Sequence, residues 1–219
     1  MAAQAALGDW ENIISAHING APLPVMMDAV RDAAVQFCRD TRIDRRLVTL
    51  LDYEAARPDT EIPDGDDGEF PGSVVSLWTT EGKLDNLSRQ QIDELYPDGW
   101  ARLTVASVNE VVGWISLRPG SVRLVPALSV DLADEIDVEV AYQPKRNATH
   151  LPQFLYELYA YEIGWGALAI LHAHNRAAYA DPAQIDINLT RFMDSINELA
   201  EKGDAGFGRR LRRVKAEML

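Results

Sequence analysis

LPQFLYELYAYEIGWGALAILHAHN, residues 151–175, is the run on which the fold turns. It is apolar over much of its length, carries Gly164 and Gly166, and closes on His172 and His174. Three readings compete: a membrane span, a metal site, or a helix gripped closely by its neighbours. Length removes the first. The charge-free part covers only residues 163–175 and includes both histidines, whereas a bilayer span needs roughly 20 consecutive apolar residues. Geometry disfavours the second, because residues two apart on a helix point about 200° away from each other. No cysteine stands nearby to complete a zinc set. One histidine is therefore expected to pack inside and the other to meet solvent near the helix end. The third reading remains. Ala160 and Gly164, then Ala169 and Ala173, are small residues four apart, a spacing that admits a second helix at close range. Phe154, Tyr156, Tyr159, Tyr161 and Trp165 cover several faces, and a helix apolar nearly all round calls for burial on several sides. Its neighbour is either a helix of the same chain or another subunit. The helix is expected to open at Leu151-Pro152 and to run to about Tyr179.

The segments on either side have clear periods. Before it, Ile136, Val138, Val140 and Tyr142 alternate with Asp137, Glu139 and Ala141, the signature of a half-buried strand. After it, Asp181-Pro182 supplies an N-cap and a first-turn proline. Ile185, Leu189, Phe192, Ile196 and Leu199 then form a helical stripe up to a stop at Gly203. Nearer the N-terminus, a helix starts at Pro22 or Pro24 and runs to about Thr41, with Met26, Val30, Ala33 and Phe37 on one face. Residues 10–17 suit a short helix ended at Asn19-Gly20. Between these helical ends lie strand candidates at 47–53, 73–80, 103–108, 111–117 and 121–125. A short helix at 88–96 has Ser88 and Gln91 at capping-box spacing, and 56–72 reads as an exposed acidic loop.

This order predicts an α+β fold: a helical bundle, made of the N-terminal helix and two long C-terminal helices, with an inserted antiparallel β subdomain. The bundle is expected to comprise 1–46 and 151–203, and the β subdomain 47–150. Residues 204–219 form a glycine-loosened hinge and a basic C-terminal segment.

Composition narrows the classes of function. The 219 residues are 47% hydrophobic and 25% charged, as in a globular protein with a core. A net charge of −13 argues against a surface that embraces nucleic acid all round, since phosphate affinity comes from lysine and arginine. Cys38 is the only cysteine, so no intrachain disulfide forms and a reducing compartment is expected. The opening MAAQAALGDWENII lacks a basic n-region and is not expected to be a signal peptide.

Candidate chemistry is sparse. DGDDGEF (64–70) hints at calcium, but an EF-hand counted from Asp64 puts Gly68 at the fifth position and Val75 at the twelfth, where a glutamate belongs. Gly203, Gly206 and Gly208 follow a helix where a dinucleotide loop requires a strand. No phosphate loop and no nucleophile elbow is present. His17 and His150 stand alone and are expected to be structural. No catalytic residue, metal or cofactor is expected.

The tail carries more. Phe207, Leu211, Val214 and Met218 recur at helical spacing, with Arg209, Arg210, Arg212, Arg213 and Lys215 around them. As a helix this is a basic amphipathic segment. It could fold back on its own acidic body, or use its stripe in a groove on another protein, its arginines on DNA, or both on a membrane surface. The regular stripe and short length favour the protein groove.

Taken in order, several pieces resemble the head-to-tail adaptor proteins of tailed bacteriophages, in particular the tail tubular protein A type of short-tailed phages. They are the proline-started helix in NGAPLPVMMDAVRDAAVQFCRDT (19–41) and the short helix with its tryptophan in LSRQQIDELYPDGW (87–100). A strand ending near Tyr142 follows, then Leu151-Pro152, a helix containing Gly-Ala-Leu (166–168), and Tyr-x-Asp-Pro (179–182) opening the last helix. The set spans nearly the whole chain. It departs from the family in having QPKRNATH (143–150) where members often carry a fuller proline-rich link.

The resemblance implies a ring, commonly a dodecamer, between portal and tail nozzle or tube. Such a ring is a virion component assembled in the host cytoplasm, with no enzyme activity and no membrane. It implies that DNA passes through the channel without sequence-specific binding. It implies a portal-binding role for Phe207, Arg209, Arg210, Leu211, Arg212, Arg213, Val214 and Met218. Alternatives are a neck or head-completion connector of a long-tailed phage, or a small enzyme or binding module with its site in the β subdomain.

Overall fold

A computed structural model describes residues 3–50, 59–66, 68–101, 103–129, 136–175, 177–204 and 213–214. The fold is mixed α+β. In chain order the first elements are β1 (Gln4–Ala6), a 3-10 turn (Leu7–Trp10), α1 (Glu11–Ser15), α2 (Leu23–Thr41), β2 (Arg45–Leu50), β3 (Asp59–Glu61), β4 (Glu69–Thr79), β5 (Gly82–Asn86) and α3 (Arg89–Leu95). Then come β6 (Thr104–Val105), a second 3-10 turn (Val108–Glu110), β7 (Gly113–Ile115), β8 (Ser121–Val125), β9 (Ala127–Leu128), β10 (Ile136–Pro144), β11 (His150–Pro152), α4 (Gln153–His172), α5 (Pro182–Asp204) and β12 (Arg213–Val214). The chain divides into two compact units: Met1–Asp44 with Gly65–Phe70 and Tyr142–Arg209, and Arg45–Asp64 with Pro71–Ala141 and Arg210–Leu219.

In the first unit, α2, α4 and α5 pack on one another. α2 begins with Pro24 in its first turn and buries the stripe read from sequence, Met26, Val30, Ala33 and Phe37, together with Ala29, Ala34 and Cys38. It ends at Arg42, a non-glycine residue at φ 50°, whose N–H donates to the Cys38 carbonyl at 2.9 Å. α5 is capped as its sequence requires: the Asp181 carboxylate accepts the Ala183 N–H at 3.0 Å. Phe192 and Ile196 point into the core, and Leu199 packs against it. The expected stripe is corrected at Leu189, which is exposed, while Asn188 takes the buried place and donates to the Gln184 carbonyl.

α4 differs from expectation at both ends. Leu151-Pro152 does not open it; these residues belong to β11, which pairs antiparallel with β1 through Ala5 and Leu151. The helix starts one residue later with Pro152 as its N-cap, and Tyr159 interrupts its helical backbone. It stops at His172, not near Tyr179. The chain there turns back on the helix end: the Asp181 N–H donates to the His172 carbonyl at 3.3 Å, and His172 Nδ1 lies 3.2 Å from the Tyr179 carbonyl. The N-terminal residues, undistinguished in sequence, dock on this helix. Trp10 is wholly buried, meets Tyr156 edge to face at 4.9 Å and donates its indole N–H to the Ala160 carbonyl at 3.1 Å.

The strand order in the main sheet is β12–β2–β10–β4–β5–β7–β8–β3. The expectation of an antiparallel sheet is corrected: β5 pairs with β7, β12 with β2, and β6 with β9 in parallel. The reason at β5–β7 is local. α3 lies between the two strands in the chain and returns it in the same direction, as a parallel pair needs. The capping box of α3 forms as read, with Ser88 Oγ accepting the Gln91 N–H and Gln91 Oε1 accepting the Ser88 N–H. Ile92 joins a small core with Leu87, Trp100, Ile115 and Val125. β10 alternates as expected from Ile136 to Val140, but Ala141, placed on the outer side by the alternation, is buried between Val140 and Tyr142; the strand pairs antiparallel with β2 over six residues.

The acidic loop is shorter than its composition implies. Residues 59–61 form β3, paired antiparallel with β8, with Asp59 ion-paired to Arg123 of β8 and Glu61 to Arg118 in the turn before it, and β4 begins at Glu69. Residues 56–58 and Asp67 lie outside the described residues, as do 51–53 of the strand expected at 47–53. At 103–108 only Thr104–Val105 is strand.

Trp10→Ala removes a fully buried ring and its hydrogen bond, and is expected to destabilise the chain by about 3–5 kcal/mol. Asp181→Ala removes only a cap and is expected to cost about 1 kcal/mol. Urea unfolding followed by circular dichroism checks both; equal, small losses would contradict this account of α4.

Candidate functional site

Within the first unit the small residues of α4 meet the protein's own side chains. A Cβ at Gly164 would stand 3.0 Å from Ile13 Cγ2, next to α1. A Cβ at Gly166 would lie 2.9 Å from the Phe192 ring of α5 and 3.0 Å from Ala33 Cβ of α2. Gly166 is thus the point where three helices converge. Ala160 offers its carbonyl to Trp10, and Ala169 is buried. Ala173 is exposed at the helix C-cap. The spacing seen in sequence therefore serves intrachain packing at Ala160 and Gly164, and Gly166 is the tightest contact of the set.

The histidines end in different surroundings. His172 is buried, and His174 is half-buried with Nδ1 3.2 Å from the Tyr179 hydroxyl. The helical divergence argued from sequence does not apply to His174, because α4 has already stopped. Both side chains reach Tyr179, one at its carbonyl and one at its hydroxyl, and so clasp the α4–α5 connection. Among the described residues no group of three or more histidine, cysteine, aspartate or glutamate side chains is placed to hold a metal.

A polar cavity of about 350 Å³ lies at the C-terminal end of α2, lined by Arg39, Asp40, Thr41, Arg42 and Ala200. Arg39 Nε donates to the Asp40 carboxylate at 2.7 Å, which holds the guanidinium above its already high value. Thr41 Oγ1 donates back to the Phe37 carbonyl at 2.7 Å. This lining presents two guanidinium groups, a carboxylate paired with Arg39 and a hydroxyl that donates to the main chain. In the second unit two hydroxyl–carboxylate pairs bridge neighbouring strands: Thr49 donates to Asp137 and Ser76 to Glu139, both at 2.6 Å.

Of the proposed portal-binding residues, Phe207, Arg209, Arg210, Leu211, Arg212 and Met218 lie outside the described residues. Arg213 and Val214 do not continue a helix. They form β12, extended and parallel to β2, with Arg213 opposite Leu47 and Val214 opposite Val48. The helical reading of the tail is corrected there: main-chain pairing at a sheet edge replaces the expected helical turn. Hydrophobic periodicity could not have found this, because an alternation needs more than two residues to register.

No protein-family model matches the chain, and no curated protein matches it. Among the described residues no helix is long and apolar enough to cross a membrane.

Overpacking a tight site costs about 1–3 kcal/mol, against roughly 1 kcal/mol that alanine gains over glycine in a helix. Gly166→Ala, which meets a ring and another helix, is expected to lower the thermal unfolding midpoint. Gly164→Ala meets a single methyl and is expected to be the milder change. Calorimetry on the two variants checks the order; the reverse order would contradict the three-helix convergence at Gly166.

Proposed function

We propose that this chain is a head-to-tail adaptor: a structural, non-enzymatic virion protein that forms a ring between portal and tail nozzle or tube and extends the DNA channel. The observation that carries the reading is the order of its motifs along nearly the whole chain. The structure gives each of them a local structural role. Pro24 starts α2, the Ser88 box starts α3, and Tyr142 sits in β10. Leu151-Pro152 leads into α4, and Tyr179-x-Asp-Pro makes the connection that caps α5. In this reading α2, α4 and α5 are the bundle and the strands between α2 and α4 its inserted β part.

The charge distribution supports a mechanical role. A surface of net charge −13 gives passing phosphates little to grip. Cations concentrate at the C-terminus, where residues 205–219 hold five and a single carboxylate. In the proposed role this segment anchors the ring: Phe207, Leu211, Val214 and Met218 give apolar contacts, and the arginines pair with portal carboxylates. Because Arg213 and Val214 are extended, the anchor does not depend on a helix at those positions.

The test is binding to a purified portal ring by analytical ultracentrifugation, with the full chain and with residues 204–219 removed. The full chain is expected to bind. The truncation is expected to weaken binding at least about tenfold, a loss of about 1.4 kcal/mol or more. No binding by the full chain would contradict the adaptor, and undiminished binding by the truncation would contradict the role of the tail.

A further inference from the structure

Asn19-Gly20 is the single asparagine–glycine pair of the sequence, and it sits in the turn between α1 and α2 with both residues exposed. The chain is held on either side of it. Ile18, buried in the core, donates its N–H to the Ile14 carbonyl at 3.1 Å, and the Pro22 carbonyl accepts the N–H groups of Val25 and Met26 as α2 begins. Between these fixed ends Gly20 stands at φ 81°, a conformation open to glycine at no steric cost, and a Cβ built there would meet nothing within 4 Å. Among the described residues no hydrogen bond engages the Asn19 side chain or the Gly20 N–H.

The other asparagines are placed differently. After Asn86, Asn109 and Asn147 the next N–H is already donated: Leu87 to the Trp114 carbonyl at 2.8 Å, Glu110 to Ser107 at 3.1 Å and Ala148 to Lys145 at 3.0 Å. Asn12 lies within α1, and Asn188 and Asn197 lie within α5. Asn188 is also buried, with its amide donating to the Gln184 carbonyl. Residue 176, which follows Asn175, is outside the described residues. Asn19 thus combines an unbonded side-chain amide with an unbonded, uncrowded main-chain nitrogen next to it.

We infer that Asn19 is a modification site, deamidating spontaneously through a cyclic imide with Gly20. The Gly20 main-chain nitrogen, once hydroxide has taken its proton, attacks the carbon of the Asn19 side-chain amide. The new C–N bond closes a succinimide ring while the bond from that carbon to the amide nitrogen breaks, and the nitrogen leaves as ammonia with a proton from water. Water then adds to either ring carbonyl and opens the ring, leaving aspartate or isoaspartate at position 19. The sequence of steps needs only water and hydroxide. The product carries one negative charge more than the −13 of the chain. In isoaspartate the main chain is longer by one carbon, which the open space around Gly20 receives while Ile18 and Pro22 keep their places. The inference goes beyond the adaptor reading and does not rest on it.

Peptide mapping tests it. The full chain is incubated folded in mildly alkaline buffer, and in parallel unfolded in urea at the same pH. Samples taken over time are digested and read by mass spectrometry, with isoaspartyl and aspartyl peptides separated. In the folded chain the rate at Asn19 is expected to stay within about fivefold of its unfolded value, and to exceed the rates at Asn86, Asn109 and Asn147 at least about tenfold. Isoaspartate is expected at position 19, because opening of the ring is what produces it. Gly20→Ala is expected to slow the reaction at least about tenfold, since its methyl group crowds the attacking nitrogen. Protection of Asn19 by more than about fivefold on folding would overturn the inference. Aspartate without isoaspartate, or an unchanged rate in Gly20→Ala, would overturn the imide route. The comparison of folded with unfolded protein uses the unsubstituted chain, so a poorly folding variant does not decide it.

Discussion

The helical unit depends on an absent side chain. At Gly166 the backbone of α4 comes close enough to Ala33 of α2 and the Phe192 ring of α5 that a single added carbon would collide with both. That constraint explains the composition around it. α2 turns alanines, Ala29, Ala33 and Ala34, toward its neighbours. α4 is apolar on nearly every side because α2, α5 and the N-terminal residues around Trp10 all pack on it. The helix is buried most fully from Ile163 to His172, while Leu158 and Tyr161 remain exposed; its sequence imitates a membrane segment while remaining too short to be one.

The sequence is legible where the signal is local. A proline in a first turn, a serine and glutamine three apart, an aspartate before a proline and a period-two alternation each located an element, because the hydrogen bonds behind them join residues a few positions apart. It is illegible where the partner is distant. β1, β3 and β11 are three residues long and become strands only through pairing with a remote segment. β5, with KLDN after the turn glycine at φ 135°, has too little apolar content to mark a strand. The end of α4 is set by the return of Tyr179 and Asp181 onto His172, a fold-back that no helical propensity encodes. Asn188 and Leu189 exchange roles for the same reason: the packing angle of α5 decides which one faces inward. For the candidate site the small residues were readable as a packing surface, but Gly166, at the three-helix convergence, was outside the four-residue spacing used to find them.

The tail joins fold and function. Its arginines and apolar residues read as a docking segment, and the two described residues within it pair with a sheet edge instead of forming a helix. In the adaptor reading its cations are what portal carboxylates would meet. The body, in that same reading, contributes the opposite: a net negative charge that would give passing phosphates little to grip.

The most direct test of the adaptor account is native mass spectrometry of the purified chain with and without a portal ring. The account predicts that addition of portal produces closed rings of this chain bound to it, whether or not the free protein is monomeric. A chain that stays monomeric and indifferent to portal would contradict it.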